Sequence, residues 1–268
     1  LILISFLIRL ICILLIKPPI TSDYEQVYNA SVEFSKGIYD FNQTDYFHYY
    51  GHQTGLVIFN GTLLKIWNNP FFLELVNCLF SVGTNFILYL IAKKVLTPSV
   101  SKFAALCYAV YPFSALLNTL LSNHIVSTFF STMSIWLFIQ SSEVQRGKRW
   151  APLILSILSL SVAYAIKTDV VIILGGFLLM FLIRFIFLDR SQRRSIVLQT
   201  MAFVFGFLFM TNSFSFLVKT SGINPSGLKM KDPFRFMVFG LNRETDGHIN
   251  QADKDLILQK MNEEITWY

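Results

Sequence analysis

The stretch TSDYEQVYNA, residues 21–30, places two carboxylates, Asp23 and Glu25, a few residues after an unbroken apolar run, LILISFLIRLICILLI. A carboxylate held just outside an apolar segment can take a proton from an attacking hydroxyl, and a positioned base of that kind typically contributes about 10² to 10⁴ in rate. The same residues also have a purely structural reading. Ser22 with Glu25 three positions on is a capping box, Asp23 suits the positive end of a helix dipole, and Gly37 is a ready stop. A surface helix over 23–36 needs nothing more, and Tyr24, Val27, Tyr28 and Ser31 recur at the spacing of its buried face. Side chains two apart on a helix do not meet, so Asp23 and Glu25 cannot address one ligand unless the turn is extended.

Other candidates are sparser. His48 and His52 are four apart, a spacing that can hold a metal on a helix, but Gly51 intervenes and a third ligand is not evident. Tyr46, Phe47, Tyr49 and Tyr50 suit an aromatic belt at a membrane surface, and such rings can also stack on a ligand. Lys167 either snorkels, pairs with Asp169, or offers its charge to an anion. Cys12, Cys78 and Cys107 lie inside apolar runs at unrelated spacings and read as buried thiols. There is no Walker loop or Rossmann glycine pattern, and TDGHINQADKD lacks the spacing of a calcium loop.

The elements that carry these residues follow from composition. Hydrophobic residues make up 54% of 268 positions, charged residues 14%, and Phe occurs 27 times, more apolar surface than one water-soluble core can hide. The expected fold is all-α, a polytopic transmembrane helical bundle. Runs of roughly 17 to 25 apolar residues can span, and the candidates are residues 1–16, 71–92, 103–120, 122–140, 150–167, 169–188 and 195–218. The stretch 53–67 is shorter, carries Asn60, Gly61 and Lys65, and is expected at the interface. Pro18, Pro19 and an acidic segment follow the first run without a cleavage pattern, so it reads as an anchor. The chain opens on Leu and ends in a polar segment, and it is expected to be a fragment.

Basic connections at 93–102, 143–149 and 189–194 alternate with turns nearly bare of cations, which places the basic set in the cytoplasm. The segment 17–70 and the tail 219–268 then lie outside. Residues 1–218 form the expected membrane module of about seven spans, and 219–268 the start of a further, extracytoplasmic part. On this reading the net charge of +6 reflects orientation rather than nucleic-acid binding.

A first span, Asp with a second acid nearby, a surface helix, a Tyr-rich segment ending HYYGHQTG, and an apolar run before the second span: this order resembles the GT-C class of integral-membrane glycosyltransferases. Within that class it looks most like glycosyltransferase family thirty-nine, the branch of the protein O-mannosyltransferases and the bacterial aminoarabinose transferases. The likeness continues through NNPFFLELVNCLFSVGTNFILYLIAKKV, YAVYPFSALLNTLLSNHIVSTFF and GLNRETDGHIN. It implies an enzyme that moves a sugar, with inversion, from a polyprenyl-phosphate carrier to a glycan, lipid or protein acceptor on the outer side of the cell membrane. It implies Asp23 as base with Glu25 as companion, and Tyr50, His52 and Gln53 at the sugar or phosphate. Lys167 is the first candidate cation for the leaving phosphate, and Arg243, in the tail, a second and weaker one. Where relatives carry an acid after the third span, this chain has Asn123 and His124. No cofactor is implied, and a divalent-metal requirement stays open. Two further readings stand beside this one. A transporter or lipid flippase would place ionisable or helix-breaking residues near the membrane midplane, and a non-catalytic membrane subunit would tolerate loss of Asp23.

Overall fold

Inside a bilayer every backbone amide must find its partner within the segment, which makes the helix the default for each apolar run. The computed structural model describes residues 1–144, 147–187 and 190–230, and no strand forms among them. Helix α1 covers Ile2–Leu15. The chain then leaves the apolar run at Pro18 and Pro19 and forms three short helices outside it, α2 (Asp23–Ser35), α3 (Asp45–Tyr49) and α4 (Thr54–Leu64). The bundle resumes with α5 (Pro70–Val95), α6 (Pro98–Val110), α7 (Pro112–Leu116), α8 (His124–Glu143), α9 (Trp150–Ile166), α10 (Val171–Phe187) and α11 (Arg190–Thr220).

Helix α2 forms where expected, but its start differs from the sequence reading. Ser22 makes no side-chain capping bond and has φ +58°, so the capping box is not formed. The stop is as read. Gly37 adopts φ +78°, its N–H donates to the Phe34 carbonyl at 3.0 Å, and the Ile38 N–H donates to the Glu33 carbonyl at 3.0 Å, the paired closure that a glycine beyond a helix end permits.

Among the described residues four helices are long and apolar enough to cross a membrane: Pro70–Val95, His124–Glu143, Thr168–Phe187 and Gln192–Thr220. Ile2–Leu15 and Trp150–Ile166 are shorter apolar helices at two more of the expected positions. The run 103–120, expected as one continuous span, is instead bent by 53° between Pro98–Val110 and Pro112–Thr119. Pro112 has no N–H to continue the ladder and its ring excludes the preceding turn.

Arg9 of α1 holds that break. Its side chain is fully buried, and its guanidinium donates to the carbonyls of Ala109 at 3.1 Å and Tyr108 at 3.4 Å, two acceptors at the interrupted end of α6. It also donates to Ser81 Oγ at 2.5 Å, Ser5 Oγ at 2.7 Å and Ser114 Oγ at 3.0 Å. A cation in this setting is tolerated because six neutral acceptors, the Ser5 carbonyl at 3.0 Å among them, replace its water.

Helices α8 and α9 meet through small residues. Ser134 Oγ donates to the Ser156 carbonyl and Ser156 Oγ to the Ser134 carbonyl, each at 2.8 Å, a reciprocal clasp of the kind that lets membrane helices pack closely. Below it, Phe138, Phe177, Phe181 and Phe203 interlock α8, α10 and α11, with Phe138 and Phe177 stacked at 4.5 Å.

The two ends of the bundle differ. At one, Lys94 pairs with Glu143, Arg184 donates to Ser142 Oγ at 2.8 Å, and Arg149 donates to Ser195 Oγ at 3.2 Å. At the other, Lys17 pairs with Glu74 at 2.7 Å and the short helices α2, α3 and α4 cover the helix ends.

Candidate active site

The short helices are seated by one apolar cluster. Val27, Ala30 and Phe34 of α2, Phe47 of α3, and Leu56 and Val57 of α4 pack against Val126 of α8 and Ile166, the last residue of α9. Helix α4 approaches α9 so closely that a Cβ on Gly55 would lie 1.7 Å from the Ala165 carbonyl oxygen. Asn224 ties down the same region from beyond α11, donating to Thr54 Oγ1 at 2.8 Å. The loop side chains are thus fixed over the ends of α8 and α9.

On this platform Asp23 is the first residue of α2 and is exposed. Its charge reaches Tyr46 of α3, whose hydroxyl is pushed well above the usual phenol range, first by burial and then by the negative charge of Asp23 and by Tyr50. The Tyr46 hydroxyl oxygen is buried and has no hydrogen-bond partner among the described residues. It is therefore a protonated donor beside a carboxylate, with its hydrogen uncommitted. Glu25 lies two residues on, about 200° further round the helix, and is exposed. The two acids leave α2 in different directions, and of the pair it is Asp23 whose charge reaches Tyr46.

From Tyr46 a chain of contacts runs to the bundle. The rings of Tyr46 and Tyr50 are 5.0 Å apart, and those of Tyr50 and His52 6.0 Å. His52 is buried, and the neighbouring Gln53 Oε1 accepts from Asn123 Nδ2 at 3.5 Å. Asn123 immediately precedes His124, the first residue of α8. Lys167, just past the end of α9, donates to His124 Nδ1 at 3.0 Å and pairs with Asp169 at 2.8 Å. Pairing with Asp169, one of the structural readings of Lys167, is thus realised together with a second contact to His124. Arg243 and the GLNRETDGHIN loop lie outside the described residues.

Two cavities adjoin this array. One, of about 570 Å³, is almost wholly apolar and runs between α4, α9 and α11, with Gly55, Phe59, Val162, Phe214 and Leu217 on its walls. The other, of about 310 Å³, opens beside Lys167 and His124 and descends along the hydroxyl-bearing face of α8. Among the described residues no group of three or more His, Cys, Asp or Glu comes together as a metal site. Sequence reasoning did not single out Tyr46 as a donor. It stands in a run of four aromatic residues, and only its burial beside Asp23 distinguishes it.

An acid, a protonated phenol, two amides and a lysine therefore line one end of an apolar bundle, next to a cavity with hydrocarbon walls. That set can deprotonate a hydroxyl at one point and receive negative charge at another. Neither the curated proteins nor the solved structures compared with the chain include a match. The family model described as dolichyl-phosphate-mannose-protein mannosyltransferase matches residues 60–216, a range that takes in Asn123, His124 and Lys167 and begins after Asp23. The match extends over more than half of the chain, which thus belongs to the dolichyl-phosphate-mannose-protein mannosyltransferase family and is a multi-pass membrane glycosyltransferase of the GT-C kind.

Proposed function

We propose that the chain transfers a sugar from a polyprenyl-phosphate carrier to a hydroxyl of a cell-envelope glycan, lipid or protein, with inversion, on the extracytoplasmic side of the membrane. The acceptor oxygen attacks the anomeric carbon as the bond from that carbon to the phosphate oxygen breaks. The hydroxyl proton passes to the Asp23 carboxylate, and the bonding pair leaves with the phosphate. A single displacement of this kind inverts the anomeric centre.

The observation that carries this reading is the gathering at one bundle end of the exposed Asp23, the buried Tyr46 hydroxyl that its charge helps to push up, and Lys167. A base works only when aimed at the proton it removes, and charge developing on a phosphate is best met by donors already in place. In this scheme Tyr46 and Tyr50 flank the sugar, His52 and Gln53 hydrogen-bond to it, and Lys167 meets the phosphate. Glu25 is a companion acid at the mouth, and Arg243 a second cation for the phosphate. The apolar cavity between α4, α9 and α11 suits an isoprenoid chain, whose carbons have only dispersion and burial to offer. The basic bundle end, with Lys94 and Arg149, faces the cytoplasm on this reading.

The test is transfer of labelled sugar from polyprenyl-phosphate donors in membranes containing the full-length protein, wild type against Asp23→Asn. Loss of roughly 10²- to 10⁴-fold in rate is expected for removal of a general base, in a variant that inserts normally. An unchanged rate would reduce Asp23 to a helix-dipole residue. Absence of transfer by wild type as well would turn the assignment toward a transporter or a non-catalytic subunit.

A further inference from the structure

At the basic end of the bundle three arginines gather without a counter-charge. Phe138 of α8, Leu153 of α9, Phe181 of α10 and Ile196 of α11 share one core cluster. Toward the basic end, within one turn of those residues, stand Ser142, Arg149, Arg184 and Ser195. Arg184 donates to Ser142 Oγ at 2.8 Å, Arg149 donates to Ser195 Oγ at 3.2 Å, and the Arg149 charge reaches Arg184. Arg193 of α11 lies over the Phe185 ring at 5.2 Å. Among the described residues none of the three is in an ion pair, and Glu143, beside Ser142, is spent on Lys94. Asp189 lies outside the described residues, and one carboxylate balances at most one of three charges.

Arg9 shows what a satisfied guanidinium has: six acceptors around one cation. Arg149, Arg184 and Arg193, all half-buried, share two serine hydroxyls and one aromatic face. Arg149 Nε and Arg193 Nε are buried with no hydrogen-bond partner among the described residues. Arg149 Nη2, Arg184 Nη2 and both Nη atoms of Arg193 also make no hydrogen bond among the described residues, but they keep accessible surface. Like charges brought together where water is partly excluded repel one another unless an anion joins them. The forked N–H groups of two guanidiniums match the oxygens of a phosphate, which takes them in pairs.

The surroundings decide what carries that phosphate. Met180 lies one turn deeper than Arg184 on the same side of α10, Val197 one turn deeper than Arg193 on α11, and both are exposed. Trp150, next to Arg149, is exposed as well, and tryptophan favours headgroup depth. The arginines therefore have hydrocarbon-facing side chains directly beneath them, a surface that fits acyl chains and gives a small soluble anion nothing to bind. A third guanidinium beside the phosphate also repels the cationic end of a zwitterionic headgroup. We propose that Arg149, Arg184 and Arg193 bind the headgroup of an anionic phospholipid, with its phosphate bridging Arg149 and Arg184 and its acyl chains lying along Met180 and Val197. Basic pockets between membrane helices recognise lipid headgroups in this way. The site is at the opposite end of the bundle from Asp23 and does not rest on the transfer reading.

The experiment is lipid binding to the purified, delipidated full-length protein in detergent, read by native mass spectrometry. The probes are phosphatidylglycerol and phosphatidylcholine with the same acyl chains. Phosphatidylglycerol is expected to bind about tenfold or more tightly, and the double variant Arg149→Gln/Arg184→Gln should lose that preference, the usual cost of removing hydrogen bonds between charged groups. Lys148→Gln, which removes an exposed charge next to the site, should bind like wild type. A loss from Lys148→Gln as large as that from the double variant would mean general attraction to a positive surface, and would overturn the site. Equal binding of the two lipids would overturn it too. Displacement of phosphatidylglycerol by an equal concentration of inorganic phosphate would assign the arginines to a soluble anion and overturn the lipid. Should the double variant fail to fold, Arg184→Lys carries the test, because it keeps the charge and loses the planar fork. Several-fold weaker phosphatidylglycerol binding at unchanged thermal stability is expected, and wild-type affinity in that variant would overturn the bridged phosphate.

Discussion

At the scale of single residues, Arg9 shows how one charge can organise a membrane helix pair. In sequence it is an interruption in an apolar run, and nothing local says what it meets. Its partners Ser81 and Ser114 are 72 and 105 residues away. Arg9→Met would leave those hydroxyls and the Ala109 and Tyr108 carbonyls without their donor, at about 1 to 3 kcal/mol for each buried group that stays unsatisfied. The expected result is a protein destabilised by about 3 kcal/mol or more, with Arg9→Lys intermediate, because an ammonium has fewer donors and no planar fork. Unfolding of the detergent-solubilised protein measures it, and equal stability of Arg9→Met and wild type would show that α6 and α7 hold their bend unaided. Asp23 is the contrasting case. Its type and position were readable from the sequence as a candidate base, whereas its coupling to Tyr46 depends on how α3 is laid over α2 and was not.

At the scale of elements, the site depends on how α4 is set against α9. Gly55 faces the Ala165 carbonyl with no room for a Cβ, which would sit 1.7 Å from that oxygen. Gly55→Ala must therefore drive the two backbones apart by more than an ångström, carrying Gln53 away from Asn123. A misplacement of about 1 Å can cost around 10²-fold in rate, and overpacking typically costs about 1 to 3 kcal/mol. Transfer by Gly55→Ala should fall by that order while insertion persists. Gly175→Ala, where a Cβ would meet open space, should retain full activity, so equal rates for both variants would remove the close approach from the account. The helices themselves were legible, because runs such as 71–92 and 122–140 are long and apolar. The break at Pro112 was present in the sequence but was overridden by the length of the run around it. The Ser22 capping box failed for another reason: the pattern was there, but the chain leaving Pro19 enters α2 with φ +58° at Ser22, which turns the side chain away from its expected bond.

At the scale of the molecule, the sequence placed alternate connections on opposite sides, and the structure gathers them at opposite ends. Lys94, Glu143, Arg149 and Ser195 meet at one end, and Gln53, Asn123, His124 and Lys167 at the other. The proposed orientation rests on charge, since short loops rich in Lys and Arg are generally retained inside. The catalytic proposal needs the same assignment, because Asp23 must stand on the side where a lipid-borne sugar and its acceptor meet. Single cysteines at exposed positions in or beside the connections, in a background with Cys107 replaced, would decide it with a membrane-impermeant maleimide on intact cells. Lys36→Cys and Asn68→Cys should label from outside, and Ser99→Cys and Lys148→Cys only after permeabilisation. The reverse pattern would place Asp23 in the cytoplasm and take the extracytoplasmic donor and acceptor with it, while leaving the helix packing untouched. Labelling of all four from outside would instead mean that the chain does not cross the membrane between 68 and 99, and the apolar length of Pro70–Val95 makes that the least expected result.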